Sequence, residues 1–462
     1  LTVTPISPAP PAPHQAAPPV RRRAARSVPG RVRVLTGVAA AALALLFAAV
    51  AAGGTTAGDG LRVIGRDAGP QVVATSGLYF GLSDMDALIA DVLVMGPEDG
   101  GLRAKALARY EQQRSAANLA LLEAFQLAGD DQAERRTIQS VLDGLGRYEQ
   151  LVARALLLDS QSSHAAGDPP ASVLGVYRDA TDLMRQVLLP QAYNLTLESG
   201  TIVRRTYDDT AGMLPLVRAA VIVAGLLALG CLLYLQVYLA RRFRRVLGLA
   251  LVGATLATAG AMAAGLSVIQ RDIDFLRTAK FEGFDSVVTL ARARAIGNSM
   301  QGDQSRFLLD KERADTYEHR FLDKSQRLMY VEAGSLAKYQ TAVRGAEDFR
   351  GMLGPELAGV TAKPVLDAYL RYQEADSLMR ARAATGRTGE AVAIRLGEVR
   401  QAFAKYDEEL VKVADRKQSV FASAVDRGER ALDELWTVLP FAMGGIGVLL
   451  ALGVWPRLRE YR

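Results

Sequence analysis

Charged side chains set into otherwise apolar helices are the groups of this sequence that could do chemistry, and two stretches hold them. The first, LSDMDALIADVLVMG (82–96), carries Asp84, Asp86 and Asp91. Asp84 and Asp91 are seven residues apart, so on a helix they share a face beside the apolar stripe. Such a carboxylate pair could hold a cation or an amine. The second, LARARAIGNSMQGDQSRFLLD (290–310), carries Arg292, Arg294, Asp303 and Arg306. Guanidinium groups take carboxylates in a two-pronged grip, so this helix could bind a carboxylate ligand or an acidic partner surface. The plainer expectation for both stretches is a solvated helix flank whose charges pair with their neighbours.

Other chemistry has little to work with. The three histidines, His14, His164 and His319, fall in a Pro-rich tail, a loop and a polar helix. The single cysteine, Cys231, lies inside an apolar tract, which excludes an intrachain disulfide and a cysteine metal site. No Gly-rich phosphate loop, nucleophile elbow or zinc spacing occurs. No histidine or further carboxylate completes a metal shell around the Asp84 stretch. The expectation is a protein without enzymatic activity, cofactor or metal.

The elements that must position these groups follow from composition. The chain has 462 residues, 50% of them hydrophobic but only 6% aromatic, so Ala, Leu, Val and Gly tracts carry the apolar content. Four tracts, 34–52, 219–240, 246–269 and 437–455, contain no Asp, Glu, Lys or Arg and have the length of membrane spans. The first could be a cleaved signal, but its run is long and a tail precedes it, so an uncleaved span is expected. Arginines flank the spans in three clusters: Arg21, Arg22, Arg23, Arg26, Arg31 and Arg33; Arg241, Arg242, Arg244 and Arg245; and Arg457, Arg459 and Arg462. If every tract crosses, all three clusters lie on one side, and positive charge near span ends stays cytoplasmic. The 241–245 hairpin thus fixes topology and can touch anionic lipid. A nucleic-acid patch is disfavoured, because the loop is short and no basic, aromatic-rich fold surrounds it. The layout is a disordered cytoplasmic tail (1–33), two extracytoplasmic domains (53–218 and 270–436) and a short cytoplasmic end (456–462), in a multi-pass cell-membrane protein with both termini inside.

Both outside domains read as antiparallel four-helix bundles, giving an all-α, tandem span–bundle–span fold. Ile138, Val141, Leu145, Tyr148, Val152 and Ala155 repeat at spacings of three and four, as do Phe403, Tyr406, Leu410 and Val413. Breaks at 96–101, 128–131 and 160–170 divide the first domain into helices over 71–95, 102–128, 132–159 and 171–212. The second divides into 271–310, 312–350, 363–384 and 390–436. YRDATDLMR (177–185) matches YQEADSLMR (372–380), but it would align the fourth helix of one bundle with the third of the other. It reads as chance on helix-favouring composition.

Four stretches carry a resemblance to a known family: LSDMDALIADVLVMGPE, LMRQVLLPQAYNL, VTLARARAIGNSMQGDQSRFLLD, and GRTGEAVAIRLG followed by AFAKYDEELVKV. In these the chain resembles the GlnX family of actinobacterial membrane proteins. Where the family pattern has Asp-Glu, this chain has Asp303-Gln304. The resemblance implies two partners, an extracytoplasmic solute-binding lipoprotein that recognises glutamate or aspartate and the soluble serine/threonine protein kinase G. It implies a relay of amino-acid availability across the lipid bilayer. Two other readings stay open: a direct sensor holding a small molecule between bundle helices, and a scaffold of the cell envelope. A transporter is disfavoured, because no span holds an ionisable residue.

Overall fold

The computed structural model describes residues 28–97, 100–243, 248–357 and 362–459. Arg21, Arg22, Arg23, Arg26, Arg244, Arg245 and Arg462, the side chains of Arg242 and Arg457, and most of the N-terminal tail lie outside the described residues. Among the described residues there are thirteen α-helices and no strand. They are α1 (Val28–Arg62), α2 (Gly69–Met95), α3 (Gly100–Leu127), α4 (Gln132–Ser160), α5 (Ala171–Leu183), α6 (Leu189–Phe243), α7 (Leu249–Arg277), α8 (Asp285–Leu309), α9 (Ala314–Leu328), α10 (Leu336–Val343), α11 (Ala362–Ala384), α12 (Thr388–Ile394) and α13 (Arg400–Arg459). Wider π-helical turns join α1 to α2, α5 to α6, α7 to α8 and α12 to α13. The all-α class is therefore as expected.

Contacts divide the chain into an apolar unit (Leu1–Ala51, Ala219–Leu266 and Thr437–Arg462) and a large unit (Ala52–Arg218 and Ser267–Trp436). Among the described residues, four helical runs are long and apolar enough to cross a membrane. The apolar unit draws on α1, α6, α7 and α13. Its interior is made by Leu43, Phe47, Leu232, Leu235, Leu251 and Leu450, among others. Leu226, Leu227, Phe441, Val448 and Leu452 face outward, an arrangement that is costly in water and free in lipid. Small residues permit close approach: a Cβ on Gly265 would stand 2.9 Å from Val50. Gln236 Nε2 donates to the Leu251 carbonyl at 2.8 Å and to Thr255 Oγ1 at 2.6 Å, a polar clasp between α6 and α7. Cys231 is half-buried and free. Trp436 and Trp455, both exposed, are nineteen residues apart on α13, a rise of about 28 Å, close to a hydrocarbon core.

In the large unit, α2, α3, α4 and α5 pack in sequence order, each against the next. The expected seam of α4 is buried from Ile138 to Ala155. Asp131 caps that helix, its Oδ1 accepting from the backbone N–H of Ala133 and Glu134. Gly96 (φ 75°) and Gly129 (φ 54°) end the two helices before it in the left-handed conformation that glycine adopts without strain. The second segment places α8 against α9 and α12, and α11 against α10 and α12. One expected helix, 312–350, is two shorter ones, α9 and α10, followed by an irregular stretch. The reason is a reversal after Leu328. Met352 N–H returns to the Arg327 carbonyl at 3.1 Å, and Tyr339 Oη donates to the Met329 carbonyl at 2.9 Å. The two segments share one hydrophobic core, with α2 and α8 packed along each other at its centre. Thus Ser83 to Met95 of α2 are buried in succession, as are Met300 to Arg306 of α8. A helix covered all round has no solvated flank to offer.

Candidate functional site

The central position of α2 and α8 overturns the expectation that their charges face water. Arg306 is 1% exposed. Its Nη2 pairs with Asp86 Oδ2, its Nη1 with Asp303 Oδ1 at 2.8 Å, and its Nε donates to Tyr177 Oη at 3.1 Å. Asp86 Oδ2 also accepts from Thr181 Oγ1 at 3.2 Å. Asp303 meets Lys324 of α9 on its other oxygen, and that ammonium also donates to Ser299 Oγ at 2.7 Å. One guanidinium thereby links α2, α5 and α8, and one carboxylate extends the link to α9.

The electrostatics follow from burial. Burial pushes the Asp86 carboxyl up more than Arg306 pulls it down. Burial acts on Asp303 in the same direction, but Lys324 and Arg306 outweigh it and leave its pKa lowered. Arg306 stays charged, since Asp86, Tyr177 and Asp303 outweigh the effect of its burial. The Lys324 ammonium is brought down to about 8, chiefly by burial. Fixed buried charges of this kind are held by their partners, and removing one partner strands another.

Two further nodes surround this one. Asp91 Oδ1 accepts from Ser305 Oγ and from Arg395 Nη2, the latter at 2.7 Å. Arg395 stands on the π-helical turn Arg395–Val399 and is fully buried. Its Nη2 also donates to the Gln301 carbonyl at 2.9 Å, while its Nε and Nη1 have no partner among the described residues. Asp376 of α11 accepts from Gln304 and Gln340, both at 2.7 Å, and from Arg380 at 2.8 Å. Gln304 also accepts from Tyr372 Oη at 3.1 Å. A second carboxylate there would face Asp376 in the core, whereas the amide donates to it.

The remaining sequence candidates separate from this centre. Asp84 is buried but pairs with exposed Arg109 at 3.0 Å, and its pKa is raised by burial. Arg294 grips Asp407 of α13 with bonds of 2.7 and 2.9 Å and lies over the Phe80 ring at 4.6 Å. Arg292 lies over the Tyr193 ring at 4.7 Å and lines a separate cavity of about 210 Å³. Of the hairpin arginines, Arg241 is exposed at the end of α6.

Sequence reasoning missed Arg395, Lys324, Asp376 and Arg380. It also missed Asp159, fully buried between Arg103 (2.7 Å) and His164 (2.8 Å). Another omission is Asp310, gripped by Arg178 at 2.6 and 2.9 Å. The signal available for Arg395 was a lone arginine in the otherwise apolar run AVAIRLG. The match of 177–185 with 372–380, read above as chance, brings its two tyrosines to similar work: Tyr177 meets Arg306 and Tyr372 meets Gln304, both on α8.

Four membrane-length helical runs and a large helical unit around buried ion pairs define a membrane protein of all-α class. The comparison with protein families narrows this: residues 60–208 match the family model of an actinobacterial sensor domain. The match supports a sensory role and covers Asp84, Asp86 and Asp91, while Asp303 and Arg306 lie beyond it. No curated protein and no solved structure matches the chain.

Proposed function

We propose that the chain is a transmembrane signal relay of the cell membrane, with both termini in the cytoplasm, the large unit outside, and no catalytic step or cofactor of its own. The observation that carries this reading is helix continuity: α1, α6, α7 and α13 each run without a break from the large unit into an apolar tract. A change in packing around α2 and α8 is therefore a change in helices that continue into the bilayer, where small slides or rotations transmit signals. The sensor-domain match supports the same reading. So does the positive charge at span ends, Arg31 and Arg33 before the first, Arg241 after the second and Arg459 after the fourth.

The finer identity comes from the GlnX resemblance. The input is an extracytoplasmic lipoprotein loaded with glutamate or aspartate, docking on the large unit and favouring one packing state by its differential affinity. The output is a soluble serine/threonine kinase that meets the cytoplasmic arginines. Cells lacking the chain are expected to lose their metabolic response to external glutamate while still importing it, and loss of the kinase as well adds nothing. A Gly-rich insert after Glu434 in α13 is expected to abolish the response while the chain remains in the membrane. A knockout that responds normally would favour the envelope-scaffold reading.

A further inference from the structure

We propose that a cavity in the large unit, walled by α2, α3, α8 and α13, is a binding site for a small organic carboxylate. Its volume is about 340 Å³, within the range of small-molecule pockets. Four acidic residues line it, and each is already taken. Asp84 is held by Arg109, Asp91 by Arg395 and Ser305, Asp407 by Arg294, and Glu408 by Lys405 and Lys412. Each carboxylate thus has a cationic partner, although the bonds to Asp84 and Asp91 fall on one oxygen of each, Oδ2 and Oδ1.

Unengaged donors stand in the same lining. Arg400 and Lys105 line the cavity, and neither forms an ion pair or side-chain hydrogen bond among the described residues. Asn298 is 3% exposed, and its Nδ2 is buried with no partner among the described residues. A buried amide donor without an acceptor is uncommon and marks a place where a ligand oxygen fits. Phe403, Leu88 and Ala106 supply an apolar wall for a carbon skeleton. Guanidinium, ammonium and amide donors around an apolar wall suit a carboxylate on a short carbon chain.

The site also lies where a ligand would matter. Asp91 is both a wall residue and the partner of Arg395, and Arg400 opens α13, five residues beyond Arg395. An anion drawn to Arg400 acts beside the pair that ties α2 to the turn preceding α13. The inference rests on the sensory reading for its physiological meaning only. Binding is measured on the purified chain without any signalling readout, so the two ideas fail separately.

The test is titration calorimetry on the full chain in nanodiscs, with succinate, citrate, inorganic phosphate and putrescine as probes. Succinate or citrate is expected to bind saturably. Affinity is expected to fall at least tenfold in Arg400→Gln and in Asn298→Ala, and to stay unchanged in Lys338→Gln. Arg400 is half-buried and makes no ion pair among the described residues, so Arg400→Gln is expected to melt with the parent. The proposal is overturned by no carboxylate binding, or by carboxylate binding that Arg400→Gln leaves intact. Arg400-dependent binding of phosphate or putrescine in place of either carboxylate would also overturn it.

Discussion

Replacing Arg306 with Met tests whether the central ion pairs hold α2 on α8. Met fills similar volume and removes the charge. Asp303 keeps Lys324, so the stranded group is Asp86. Its Oδ1 already has no partner among the described residues, and its Oδ2 would keep only the Thr181 hydroxyl at 3.2 Å. Breaking a buried pair from one side costs about 3–5 kcal/mol. For a unit of this size that is a fall in melting temperature of about 4–7 °C. The sign with pH follows from Asp86. Burial already raises its pKa, and without Arg306 the rise is larger, so the variant binds a proton in the folded state that the unfolded chain releases. The deficit should therefore be greatest at neutral pH and shrink as pH falls. Adding Asp86→Leu removes the stranded carboxylate and should recover about half of the loss or more. Thermal melts followed by helical circular dichroism, at pH 5 and pH 8, read all three expectations. If Arg306→Met melts with the parent, the network does not hold the centre. If the double variant melts below the single, Asp86 is not the partner that matters.

Other outcomes follow from single sites. Asp272 is buried with neither carboxylate oxygen partnered among the described residues, and burial pushes its pKa up to about 7. A carboxyl raised in the folded state costs stability as pH climbs from its unfolded value, near 4, through 7. Asp272→Asn should thus match the parent near pH 4 and exceed it by about 4 kcal/mol at pH 8; equal melts at pH 8 would refute this. A Cβ on Gly283 would stand 2.8 Å from the Phe421 Cα and 2.7 Å from its Cβ, so Gly283→Ala should destabilise by about 1–3 kcal/mol. Gly146, within α4, has open space around it, so Gly146→Ala should instead stabilise by about 0.5–1 kcal/mol in the same melts.

The helices were legible because their apolar residues recur every three or four positions, and the spans because they exclude charge over a bilayer's thickness. The helix starts after Gly129 and Gly386 could be placed from turn residues alone. The split between α9 and α10 could not, because tertiary hydrogen bonds from Met352 and Tyr339 make it. The central site was half legible. Asp86, Asp91, Asp303 and Arg306 stood out as charges in apolar company, yet the partners of Asp86 and Asp91 lie 220 and 304 residues away in sequence. A single sequence carries no trace of such pairings. One local signal was present. LSDMDALIADVLVMG has no wholly polar face, and a helix without one belongs inside, whereas MQGDQSR (300–306) is polar nearly all round and gave no such signal. Whether the two outer segments fold apart or together depends on that same fact, since α2 and α8 cover each other.

The central claim is that the large unit lies outside the cytoplasm and the arginine hairpin inside. Single cysteines at Ser163, Thr385 and Gly248, in a chain with Cys231→Ser, put it to one measurement: labelling of intact cells with a membrane-impermeant thiol reagent. Ser163 lies in the loop between α4 and α5, Thr385 in the loop between α11 and α12, and both are exposed. Gly248 precedes α7 beside the hairpin. The account predicts labelling at 163 and 385 in intact cells, and at 248 only after the membrane is opened. Labelling at 248 but not at 163 and 385 in intact cells would contradict it.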